Sequence, residues 1–165
     1  MRVSFTKDHH RYGVYVHRDE APDLWIYGPG YDDDLPHDLL HFVAEAEYGL
    51  DGGVFGDVAA GGNAKIFVPV DPTLVAKVWR QKRIEKCVLP DGSRSEVLAG
   101  ELHRGWRDRS LPAPLLAKLD ALAAQWRGLA IGESLTLEWP RPEGRKRHPP
   151  RQPKRSRHSR RPVRQ

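Results

Sequence analysis

The amino-acid sequence predicts an α+β fold: an N-terminal three-stranded antiparallel meander, several helices and one further C-terminal strand. Two patterns support this expectation. Apolar and polar residues alternate in three short runs within the first 27 residues, as in half-buried strands. Apolar residues then recur at helical spacing, most clearly between Leu115 and Leu129. The chain has 165 residues, which fits one domain of about 100–150 residues followed by a tail.

The first 70 residues supply the meander and the first helices. Strands are expected over Val3–Phe5, Tyr12–Val16 and Leu24–Tyr27. A helix is expected over 35–48, with Asp34 as its N-cap and Gly49 at its C-terminal end. A short helix over 54–60 and a short strand over 66–70 should follow, joined by glycine-rich turns.

The second half of the chain reads as two helices and a strand. The stretch Ser93–Glu96 has the form of a capping box, so a helix should begin there and continue to about Trp106. A clearly amphipathic helix should start at one of two prolines and end at Gly128. The residues on its expected core face are Leu115, Leu119, Leu122, Trp126 and Leu129. Alternation over Leu135–Trp139 predicts the last strand.

The charge of the chain is divided between two parts of opposite sign. Residues 141–165 hold 11 Lys and Arg and one acid, whereas residues 1–140 have a net charge of −5. With five prolines and one aliphatic residue, the segment 141–165 cannot bury a core, so we expect a single domain over 1–140 and a disordered Arg/Pro-rich tail. Its candidate contacts to nucleic acid are Arg145, Lys146, Arg147, Arg151, Lys154, Arg155, Arg157, Arg160 and Arg161. A solubilising extension is the alternative explanation of the tail.

Several classes of protein are not expected from this sequence. Cys87 is the single cysteine, so a scaffold of intramolecular disulfides is excluded. No stretch approaches the roughly 20 apolar residues that cross a bilayer, and the N-terminal residues lack the apolar core of a signal peptide. The sequence therefore predicts a soluble, cytoplasmic protein with no membrane contact.

One motif carries recognisable chemistry. His37, Asp38 and His41 form an H-D-x-x-H pattern, one methylene shorter than the H-E-x-x-H zinc signature. Two histidines four residues apart lie one turn apart on the same side of a helix, so their imidazoles can bind one ion, with Zn²⁺ as the candidate. Asp38 would then be the catalytic residue that accepts a proton from metal-bound water. Two solvated histidines, with Asp38 favoured by the helix dipole, are the alternative.

Helical geometry places the histidine pair away from the core. At 100° per residue, Leu39 and Val43 share one arc, whereas His37 and His41 lie on the opposite side. The pair should therefore face water or be covered by a second element. Glu45 lies two turns from His37, too far to share one ion with both histidines. A third ligand is expected from another segment, and the candidates are Asp57, Glu101 and His103.

The stretch Leu35–Phe42, followed by Gly53–Gly56 and by Ala59–Gly62, resembles small actinobacterial-type proteins that have no assigned activity. In those proteins a short β meander precedes an L-P-H-D-L-x-H-F helix. The resemblance covers roughly residues 1–70 and implies a bacterial origin, without a mechanism.

Three functions therefore stay open. They are metal binding at His37 and His41 with possible hydrolysis, nucleic-acid binding by the tail, and interaction with an unknown protein partner.

Overall fold

The fold is α+β, as the sequence predicts. The computed structural model describes residues 1–28, 35–75 and 91–140. Its strands are β1 (Arg2–Lys7), β2 (Tyr12–His17), β3 (Leu24–Tyr27), β4 (Val68–Pro69) and β5 (Ser134–Glu138). Its fully described helices are α1 (His37–Tyr48), α2 (Val54–Ala59), α3 (Gly92–Arg107) and α4 (Ala113–Gly128). Residues 72–75 are also helical.

All five strands form one antiparallel sheet in the order β4-β3-β2-β1-β5. The C-terminal strand β5 pairs with β1, so it extends the meander at the edge opposite β4. Alternate residues of the central strands are buried: Val3, Phe5, Val14 and Val16. The ring of Phe5 packs edge-on against Phe42 of α1 and near Phe55 of α2, which places these two helices on the buried face of the sheet.

The N-terminal helices match the expected ranges closely, although one cap differs. Helix α1 ends at Gly49, whose φ of 64° lies in the left-handed region that glycine tolerates best. Its N-cap is Pro36, without a side-chain capping bond, so the expectation that Asp34 caps the helix is wrong. Proline suits this position because it has no N–H that would need a partner there. The expected strand over 66–70 contracts to Val68–Pro69, since a turn at Asn63 takes up Ile66 and Phe67.

The start of α3 also corrects the sequence interpretation. Asp91 is the N-cap, and no side chain caps the helix, so Ser93–Glu96 is not a capping box. The Asp91 carboxylate instead accepts the N–H of Gly52, while the Asp91 N–H donates to the Gly52 carbonyl. These two bonds hold the start of α3 against the loop between α1 and α2.

Helix α4 buries the face that its apolar spacing predicts. Leu115, Leu119, Leu122 and Trp126 are buried, and Leu129 is partly buried. These residues belong to one hydrophobic cluster that contains residues from Val3 to Leu135. Val43 is buried whereas His37 is exposed, as expected from the helical wheel of α1.

Some expectations fall on residues outside the described part of the chain. These include Cys87, the tail over 141–165 with its candidate basic contacts, and therefore the domain boundary at residue 140. Among the residues that the structure describes, none of the helices has the length and apolar character needed to cross a bilayer.

Candidate metal centre

Helix α3 covers the histidine stripe of α1. The buried small side chains Ser95 and Ala99 are four residues apart on α3, so they face the same side and allow the helices to approach closely. On α1, Ala44 is likewise buried next to the histidine stripe. Of the two possibilities that the sequence leaves open, cover by a second element holds for His41, which is buried, whereas His37 is exposed.

Three potential ligand atoms converge where the two helices meet. The Nε2 atoms of His37 and His41 lie 3.0 Å apart. A Glu96 carboxylate oxygen lies 3.6 Å from Nε2 of His37 and 3.4 Å from Nε2 of His41. These residues form a group that can hold a metal ion, with ligand atoms all within 4.8 Å of one another.

The distances among these three ligand atoms fit a small ion with tetrahedral coordination. Metal–ligand bonds of about 2.0–2.1 Å give edges of about 3.3 Å between neighbouring ligands of a tetrahedral zinc site. The three observed separations of 3.0, 3.4 and 3.6 Å bracket that value. The three separations are therefore compatible with one tetrahedral ion bound by these side chains.

The site has one buried wall and an open side. The side chain of His41 is 2% exposed, whereas those of His37 and Glu96 are 51% and 65% exposed. Burial lowers the pKa of His41 below its ordinary value, against the opposing effect of the Glu96 charge. Burial thus favours the neutral form of the His41 ring, which is the form in which imidazole binds a metal.

The third ligand differs from all three residues expected from the sequence. Asp57 is on α2, where its carboxylate accepts the N–H of Ala64. Glu101 is exposed and lies five residues beyond Glu96, or about 140° further round α3. His103 lies seven residues beyond Glu96, a rise of roughly 10 Å along the helix. The expectation that one of these completes the group is wrong, because α3 presents its first turns to the histidines.

Asp38 is not a member of the group of three converging side chains. Its carboxylate accepts a 2.8 Å hydrogen bond from the hydroxyl of Tyr12 on β2, and the Asp38 N–H donates to the same hydroxyl oxygen over 3.2 Å. Burial, followed by the negative charge of Asp38, raises the pKa of Tyr12 well above its ordinary value. The hydroxyl therefore stays protonated and attaches the start of α1 to the sheet. The catalytic role of Asp38 stays a prediction.

Two buried polar residues, Ser95 and Glu45, form hydrogen bonds behind His41 that the sequence analysis does not predict. Ser95 lies 2.7 Å from Nδ1 of His41, and its hydroxyl donates to Glu45 over 2.6 Å. The Glu45 carboxylate also accepts the N–H groups of Val54, Phe55 and Gly56 at the start of α2. As expected, Glu45 does not join the ligand group. Its burial depends on contacts with α2 and with Ser95, so the local sequence carries no signal of it.

Comparison with family models, curated proteins and solved structures finds no match to this chain. The resemblance to actinobacterial-type proteins therefore stays a prediction, and functional inference rests on the geometry of the described residues.

Proposed function

We propose that this protein binds a divalent transition-metal ion, with Zn²⁺ as the preferred ion, through His37, His41 and Glu96. The observation that supports the proposal is the convergence of two imidazole nitrogens and one carboxylate oxygen at separations of 3.0–3.6 Å. Imidazole nitrogen and carboxylate oxygen are common zinc ligands, whereas Ca²⁺ and Mg²⁺ prefer sites made only of oxygen.

The number of ligands distinguishes between kinds of zinc site. Structural zinc sites have four protein ligands, whereas catalytic sites have three and keep the fourth position for water. Three described side chains converge here, and two of them are more than half exposed. An open coordination position on the solvent side follows from this arrangement. Hydrolysis stays a prediction, because the residue expected to accept the proton, Asp38, bonds to Tyr12 instead.

The competing explanation is a histidine pair held together without metal. A 3.0 Å separation also fits an N–H of His37 donating to the lone pair of His41, with Glu96 nearby as a counter-ion. This bond and metal coordination use the same nitrogen atoms, so they exclude each other. Direct measurement of metal binding separates them.

We expect the untagged, metal-free chain to bind one Zn²⁺ at pH 7, and His37→Ala and Glu96→Gln each to weaken binding at least about tenfold. Both side chains are more than half exposed, so these variants should fold. Isothermal titration calorimetry gives affinity and stoichiometry, with Mn²⁺ and Ca²⁺ titrated for comparison. Bound zinc should also raise the melting temperature, since saturation at 100 times the dissociation constant adds about 2.7 kcal/mol.

Two matched variants control for the other histidines and acids of the chain. His10→Ala removes an exposed histidine elsewhere, and Glu101→Gln removes an exposed acid from the same helix as Glu96. Both should bind zinc as the wild type does. A wild-type protein that takes up no zinc, or site variants that bind as tightly as these controls, would contradict the proposal.

A second candidate function rests on the charge of residues 141–165. Their net charge of +10 can neutralise several phosphates and release counterions, which gives sequence-independent binding to nucleic acid. The tail contains no aromatic residue for stacking on single-stranded bases, so duplex DNA is the suitable probe. An unknown protein partner stays a prediction.

Deleting residues 141–165 changes the net charge from +5 to −5. We expect the full chain to bind different labelled duplexes with similar affinity and a log–log salt slope of several units, and the deletion to abolish binding. Fluorescence anisotropy at three salt concentrations provides the measurement. Equal binding by the two proteins, or no binding by either, would refute nucleic-acid binding by the tail.

A further inference from the structure

A continuous chain of hydrogen bonds connects the start of α2 with the candidate metal site. It runs from the Glu45 carboxylate through the Ser95 hydroxyl, over 2.6 Å, to Nδ1 of His41, over 2.7 Å. The three side chains come from α1 and α3, and all are buried. The far ring nitrogen of His41, Nε2, is the one that faces His37 and Glu96.

The backbone N–H groups that donate to Glu45 determine the direction of each hydrogen bond between Glu45 and His41. Backbone N–H groups of Val54, Phe55 and Gly56 donate to the Glu45 carboxylate, over 2.7–3.0 Å. The carboxylate acts as an acceptor, so the Ser95 hydroxyl must use its only proton to donate to it. The Ser95 oxygen can then only accept from His41, which requires a proton on Nδ1 of the ring.

We infer that Ser95, held by Glu45, is a positioning residue that fixes His41 as the Nδ1–H tautomer and directs its Nε2 lone pair at the metal position. This inference rests on the proposed metal-binding function. The neutral imidazole has one protonated and one unprotonated nitrogen, and only the latter can bind a metal. Metal-binding histidines commonly donate their other N–H to an oxygen, which sets the tautomer and the ring orientation.

The packing around Glu45 keeps the chain of bonds in place. A Cβ atom at Gly53 would collide with the Glu45 carboxylate, so the glycine allows the backbone at the start of α2 to reach these oxygens. Ser95 is fully buried, so bulk water does not compete for its hydroxyl. The orientation of the His41 ring is thus determined before any ion binds.

The test compares Ser95→Ala with the wild type by two independent readouts. Long-range ¹H–¹⁵N NMR of the metal-free protein reports which nitrogen of His41 is protonated. We expect Nδ1–H in the wild type and a mixture of tautomers in Ser95→Ala. Calorimetry should show zinc binding weakened about 10–100-fold in the variant, the usual effect of removing such a partner. Ser95→Thr, which keeps the hydroxyl, should recover part of the affinity.

Ser93→Ala is the matched control, because Ser93 is exposed on the same turn of α3 and should leave both readouts unchanged. Wild-type protein with the proton on Nε2 of His41 would overturn the inference, even if Ser95→Ala failed to fold. So would a folded Ser95→Ala with unchanged tautomer and zinc affinity. Wild-type protein that binds no zinc, yet shows an Nδ1–H tautomer that Ser95→Ala loses, would overturn the proposed function while supporting the positioning role of Ser95.

Discussion

Replacing Glu45 by alanine should lower the free energy of unfolding by about 4 kcal/mol or more, the largest effect that we expect from one substitution. The carboxylate is fully buried and accepts four hydrogen bonds, from three backbone N–H groups and from Ser95. Alanine leaves all four donors without this acceptor, and each buried unsatisfied group costs about 1–3 kcal/mol. Because total stabilities are about 5–15 kcal/mol, the variant should be at or near the limit of folding.

Urea denaturation followed by circular dichroism measures this difference. Glu45→Gln keeps the shape of the side chain but brings an NH₂ group near N–H donors, so its loss of stability should be smaller and still measurable. Glu47→Ala is the matched control on the same helix. Glu47 forms a half-exposed ion pair with Lys118 at 3.3 Å, and such pairs contribute about 0–1 kcal/mol. Similar stabilities for Glu45→Ala and Glu47→Ala would show that the carboxylate does not stabilise the start of α2.

The strands and helices could be predicted because short-range pattern determines them. The period-2 alternation of Val3 and Phe5 and the helical spacing from Leu115 to Trp126 both report which side of an element is buried. The helix N-caps were harder to predict from the sequence, because Asp34 and Ser93, the residues expected there, are both of types that commonly cap helices. Both helices begin instead at residues without a side-chain capping bond, Pro36 and Asp91.

Two of the three candidate ligands could be predicted from the sequence. His37 and His41 are four residues apart, so local helical geometry alone brings them together. Glu96 joins them only because α3 packs across α1, and a separation of more than 50 residues leaves no local trace of that contact. The same residues, Ser95 and Glu96, had a plausible local explanation as part of a helix cap. That explanation competed with their contacts to the two histidines, which depend on tertiary packing.

Leu122→Ala should lower the free energy of unfolding by about 2–5 kcal/mol, because it removes most of a core side chain and leaves a cavity. Leu122 is 7% exposed and belongs to the main hydrophobic cluster. Val97→Ala is the comparison on a surface position, since Val97 is 56% exposed, and its effect should stay within about 0.5 kcal/mol. Urea denaturation of both variants provides the measurement. A loss below about 1 kcal/mol for Leu122→Ala would mean that α4 does not depend on this face for its packing.

The zinc affinity of Leu122→Ala tests whether metal binding depends on the overall stability of the fold. Leu122 lines a groove with Phe42 and Val43, which lie on the face of α1 away from the histidine stripe. Since substitutions without shared partners have largely independent effects, folded Leu122→Ala should bind zinc within about threefold of the wild type. Glu45→Ala should lose both stability and affinity, because its carboxylate holds Ser95 behind His41. Equal losses of zinc affinity in the two variants would indicate that zinc affinity depends on global stability. It would then not depend specifically on the hydrogen bonds from Glu45 through Ser95 to His41.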